Sequence, residues 1–231
     1  MTESPGLARE AAMAGYWRGV AEDIRHELPG LLGANALFLA WCAPAALLLA
    51  VGLWGLAALV APVTLGPGLA GLATYAGHLA RGEPARWWRD SVSGIRAGSK
   101  ATAVLVVLGL GAVALPALAV RLAVGHGLTT ATAAALTTQT LVAAFLVVAC
   151  LHAWSLVGLY GQRIGLALRN AGLLVFRHPV SSVGLLGLGL VFVHVAQLFR
   201  WGPLVVLPAV LALCAAHHTR RLVEGASATT R

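Results

Sequence analysis

The sequence predicts an all-α integral membrane protein of about six transmembrane helices, with amphipathic interfacial helices between spans and both termini cytoplasmic. Three observations predict it. Hydrophobic residues fill 59% of the 231 positions and charged residues only 10%, against about 25% charged in an average soluble domain. No Asp, Glu, Lys or Arg occurs in the 53 residues from Leu28 to Ala80, or in the 41 from Leu122 to Gln162. A spanning helix needs about 20 apolar residues at about 1.5 Å rise each, so each run has room for two.

Residues 1–29 read as an N-terminal interfacial amphipathic helix. Ser4-Pro5 suits a helix start, and Met13, Trp17, Val20, Ile24 and Leu28 recur on one stripe with Arg18, Glu22 and Arg25 off it. Glu3, Glu10, Glu22, Asp23 and Glu27 interrupt any apolar run, so a secretory leader is not expected. Pro29-Gly30 ends the segment.

Residues 30–219 read as the six-helix transmembrane domain. The first span covers about Leu31–Gly55, bent at Pro44. The second is irregular, because Pro62 and Gly66-Pro67-Gly68 precede Leu69–Ala80. It either starts near Ala58 and breaks at Gly66-Pro67-Gly68, or is a short helix entered from a buried loop. Gly-Pro-Gly also makes a tight external turn, the reading we favour over a broken transporter-type helix. Arg81–Lys100 reads as a second interfacial helix, with Trp87-Trp88 at belt height. Ala101–Val120 is the third span, Gly125–Thr130 a polar turn and Ala134–Leu159 the fourth span. Gly161–His178 reads as an amphipathic helix lying at the inner interface, Ser181–Phe199 as the fifth span. Arg200-Trp201-Gly202-Pro203 then reverses the chain into a sixth span, Leu204–Ala216, and residues 220–231 read as a flexible tail.

Certain residues resemble a known family. Asn35-Ala-Leu-Phe-Leu-Ala-Trp41 followed by Thr64-Leu-Gly-Pro-Gly-Leu-Ala70 is similar to the opening of the YesL-like bacterial membrane proteins. Arg81-Gly-Glu83 leading into Trp87-Trp88-Arg89-Asp90 resembles their first connector. Arg163-Ile-Gly-Leu-Ala-Leu-Arg-Asn170 with Phe176-Arg-His-Pro179 resembles their second. The resemblance covers roughly residues 27–220 and departs at Gly68, where the family usually has Ala. It implies a six-span protein of unsettled molecular function, often associated with carbohydrate uptake, and names no catalytic residue.

Polar residues inside spans are the candidates for function. Asn35 would contact a ligand or, more commonly, bond across helices. A solute pathway would be lined by Asn35, Thr64, Gly66 and Pro67. His152 in the fourth span, with His194 and Gln197 in the fifth, has the elements of a proton relay or metal site. No carboxylate lies in a span and no third ligand is evident, so neither use is expected. Arg163, Arg169 and Asn170 would meet anionic headgroups at the inner face, or an acidic surface of a membrane transport complex.

Cys42, Cys150 and Cys214 are isolated in apolar stretches, without metal or redox spacing. Signatures of hydrolases, nucleotide-binding loops and dinucleotide folds are absent. The expectation is a non-catalytic accessory or scaffold component with no cofactor, beside a transport system in the plasma membrane. The alternative is a small transporter or channel for a neutral or anionic solute. The net charge of +8 belongs to span flanks rather than to nucleic-acid binding.

Orientation follows from counting. With the N-terminus inside, 14 of the 16 basic residues fall in inner segments, leaving only Arg121 and Arg200 outside. In a background lacking the three native cysteines, cysteine at position 127 should react with an impermeant thiol reagent applied to intact cells. Cysteine at position 93 should stay unlabelled until the membrane is opened, and the reverse pattern would invert the topology.

Overall fold

The computed structural model describes residues 5–126, 129–199 and 206–228. Gly127 of the polar turn, the reversal at residues 200–203 and the start of the sixth span at Leu204 lie outside the described residues. Seven helices run in the order α1 (Pro5–Ala50), α2 (Trp54–Ala80), α3 (Trp87–His126), α4 (Thr130–Tyr160), α5 (Ile164–Arg177), α6 (Pro179–Leu198) and α7 (Leu207–Ala228). No strand occurs among the described residues.

Among the described residues five helical stretches are long and apolar enough to cross a membrane: Gly15–Ala50, Trp54–Ala80, Trp87–Arg121, Thr130–Tyr160 and Pro179–Leu198. The described part of α7 is not among them, since His217, His218, Arg220 and Arg221 follow ten residues from Leu207 to Ala216.

Four expectations are corrected. The N-terminal amphipathic segment does not end at Pro29-Gly30 but joins the first span as one helix, with a kink at Glu27 (φ −108°, ψ 16°). Proline at 29 causes that kink by crowding the preceding residues out of α geometry. Gly66-Pro67-Gly68 forms neither a turn nor a break, since α2 is helical from Trp54 to Ala80 across Pro62 and Pro67. The basic segment before the third span is not a separate interfacial helix. After a turn at Arg81–Gly82, α3 starts at Trp87 and runs unbroken. Residues 220–228 continue α7 instead of fraying.

α2 is the centre of the bundle and its small residues explain why. Lipid tails are as apolar as leucine, so helices in a membrane gain by close van der Waals approach and by hydrogen bonds rather than by expulsion from water. A Cβ on Gly66 would lie 2.9 Å from the Ala103 backbone of α3, and one on Gly71 would lie 2.9 Å from the Ser91 carbonyl. From the other side, a Cβ on Gly94 would come within 2.7 Å of the Ala70 carbonyl. Against α4, Gly77 meets the backbone of Gly158, and Gly158 in turn meets that of Ala73. Gly68 makes room for Phe38 and Trp41 of α1.

Hydrogen bonds cross the same seams. The Thr102 hydroxyl donates to the Gly66 carbonyl at 2.6 Å, and the Trp154 indole N–H donates to the Leu69 carbonyl at 2.8 Å. Both bonds tie α2 to its neighbours within one turn of Pro67.

α5 departs from its expected flat position at the interface. The Phe176 ring lies 5.1 Å from that of Phe145, which precedes the end of α4 by fifteen residues, or about 22 Å of helix rise. α5, with 14 residues and about 21 Å of length, therefore runs back along α4. Ala167, Ala171 and Leu174 form its buried face, while Leu166, Arg169, Leu173 and Phe176 are exposed.

Replacing Gly158 with Val should destabilise the bundle by about 2–3 kcal/mol, because the new side chain meets backbone that cannot move aside. Gly165→Ala and Gly184→Ala, where a Cβ meets nothing, should be neutral or stabilising by up to about 1 kcal/mol. Unfolding in mixed micelles against increasing SDS would measure both; equal losses would refute the role of the seam.

Candidate functional site

The residues with chemistry to offer collect at one end of the bundle. α2 ends at Ala80, followed by Gly82 in the left-handed region (φ 69°), and α4 ends at Gly161, also left-handed (φ 59°). A helix C-terminus presents carbonyls without partners and a partial negative charge. Here each is met by a guanidinium from another element. Arg81 donates to the Leu159 carbonyl of α4, and Arg220 of α7 donates to the Ala80 carbonyl of α2.

Each arginine is also held by a carboxylate: Arg81 by Glu83 at 2.6 Å and Arg220 by Glu224 at 2.6 Å. His78 Nδ1 lies 3.3 Å from Glu83. The hydrogen bond from Arg81 holds the Glu83 carboxyl below its ordinary range, and fixes the connector between α2 and α3.

The amphipathic part of α1 reaches the same end. Asp23 lies 2.7 Å from His217, the Tyr16 hydroxyl donates to the Cys214 carbonyl at 3.1 Å, and the Tyr75 hydroxyl donates to Glu27 beside the kink. The α2–α3 connector, the α4–α5 connector, α7 and the start of α1 thus converge where most inner basic residues were expected.

A cavity of about 730 Å³ opens there between α2, α3 and the α4–α5 connector. Its polar wall carries His78, Arg81, Lys100, Arg163 and Gln162, and its apolar wall carries Ala101, Val104 and Val157. A second cavity of about 480 Å³ is almost wholly apolar and opens between α3, α4, α6 and α7, with Phe38, Trp154 and Phe192 in its lining.

The expected site residues separate into two groups that do not form one site. Asn35 is fully buried in α1. The Thr64 hydroxyl turns to the carbonyls of its own helix, Val60 at 3.2 Å and Ala61 at 3.4 Å. Gly66 is closed over by Ala103, and neither it, Pro67, Thr64 nor Asn35 lines either of these two cavities. Of the inner group, Arg163 lines the polar cavity, and Asn170 donates to the Gln162 side-chain oxygen at 3.1 Å. Arg169 is exposed on α5 and lines neither cavity.

His152 and His194, weighed as elements of a relay or metal site, do not meet. His152 is buried, with Nδ1 2.9 Å from the Thr219 hydroxyl and its ring stacked 5.8 Å from His218, whereas His194 is exposed and bonds its own helix. These partners sit on α7, whose docking against α4 left no periodic trace in the sequence. Among the described residues no group of three His, Cys, Asp or Glu side chains is placed to hold a metal ion.

No family model, curated protein or solved structure matches the chain.

Arg81→Gln should remove the guanidinium from the α4 terminus, a loss of about 0.3–1 kcal/mol. Its signature would be faster hydrogen exchange in the Tyr160–Ile164 connector than in the α2–α3 seam. Unchanged exchange there would show that Gly161 alone ends α4.

Proposed function

We propose that the protein is a non-catalytic accessory or scaffold component of the plasma membrane, crossing it six times with α7 as the last span and both termini inside. It works through its basic inner end, beside a membrane transport system. The observation that carries this reading is the convergence of four separate chain segments on that end, tied by Arg81, Arg220 and the Asp23–His217 pair. A surface assembled from four segments is rigid, and rigidity lowers the entropy that a partner must surrender on docking. The YesL-like resemblance supports the same reading through that family's association with carbohydrate uptake.

The solute-pathway alternative relied on a broken second helix. The continuity of α2 through Gly66-Pro67-Gly68 favours the scaffold reading over it.

Affinity capture from native membranes should recover a membrane transport component in more than one detergent, and liposomes holding only this protein should pass no sugar or small anion. Capture of the chain alone together with measurable flux would replace the scaffold by a transporter. Replacing Arg163, Arg169 and Arg177 together with Glu should impair insertion or capture, since each cation near an anionic surface contributes about 1 kcal/mol. A triple variant that inserts and captures like the parent would reduce these arginines to solvated flanks.

A further inference from the structure

We infer that the polar cavity at the inner end is a binding site for the phosphate group of an anionic phospholipid, held between Lys100, Arg163 and the first turn of α5. This goes beyond the scaffold reading, because a chain that recruited no partner would still hold the lipid.

The charges decide which side chains are available. Arg81 is already engaged by the Leu159 carbonyl and Glu83, and His78 also faces Glu83. Lys100 and Arg163 line the same cavity, and among the described residues no carboxylate lies within 4.0 Å of either. Two cations facing one cavity repel each other unless an anion lies between them.

The backbone adds donors. α5 begins at Ile164 on the cavity wall, and no side chain caps its first amides. Uncapped amides at a helix start, with the positive end of the helix dipole, suit a phosphate oxygen. Gln162 has its side-chain oxygen occupied by Asn170, which leaves its NH2 group as the end that an acceptor can use.

The other wall selects a lipid over a soluble phosphate. Lys100 is the last charged residue before the charge-free stretch Ala101–Val120, so it stands at headgroup height. Immediately below it Ala101 and Val104 of α3 and Val157 of α4 continue the cavity as apolar surface, and Val104 is 43% exposed. A headgroup seated between the cations can therefore run its acyl chain down α3 without leaving apolar contact.

The test uses the purified full chain in neutral micelles, titrated with phosphatidylglycerol, with phosphatidylcholine and with inorganic phosphate, and followed by thermophoresis. Phosphatidylglycerol should bind saturably and more tightly than either of the other two. Lys100→Gln/Arg163→Gln should weaken it by about thirtyfold while Arg18→Gln/Arg25→Gln, exposed on α1 away from the cavity and with the same change in net charge, should leave it within about twofold. Should the first double variant fail to fold, Lys100→Gln alone tests the site, with about fivefold weakening expected. Equal binding of phosphatidylcholine, or equal weakening in both double variants, would overturn the site. Inorganic phosphate binding as tightly as phosphatidylglycerol would overturn its assignment to a lipid.

Discussion

Close backbone approach along α2 is the constraint on which the rest of the bundle depends. Gly66, Gly71 and Gly77 on α2, with Gly94 and Gly158 facing it, bring three helices near enough for backbone to touch backbone. That closeness places the Thr102 hydroxyl and the Trp154 indole within reach of α2 carbonyls. It also places the ends of α2 and α4 within reach of Arg81 and Arg220, since side chains of that length cap only carbonyls that lie close by. Larger residues at the seams would separate the helices and remove both sets of bonds together.

The polar end obeys a complementary logic. Carbonyls at two helix ends need donors, and a guanidinium supplies several in a fixed plane. Once Arg81 and Arg220 are committed to this and balanced by Glu83 and Glu224, Lys100 and Arg163 are the cations left to line the cavity. The proposed lipid site would thus draw on the cations that no helix end has claimed.

Much of the fold was legible because charge is so scarce. The long runs without Asp, Glu, Lys or Arg located the first four helices that are long and apolar enough to cross a membrane. Proline and glycine were misleading. In water Gly66-Pro67-Gly68 makes a turn, but here the segment is helical and its glycines serve the approach of α3 and α1. The steep course of α5 was hidden because Ala167 and Ala171, small and unremarkable in a basic segment, mark its packed face. Arg163 was legible as a candidate, whereas Lys100 comes to line the same cavity only through the fold.

The ties between α1 and α7 bear on how the chain is made. Tyr16 bonds the Cys214 carbonyl 198 residues away, and Asp23 meets His217 194 residues away. During synthesis the first half of α1 emerges long before the helix that receives it. Its docking is then a closing step that a nascent chain cannot complete until α7 has emerged. An incomplete chain leaves Tyr16 and Asp23 without these partners, which distinguishes it from the finished protein for any quality-control protease that reaches this end of the bundle.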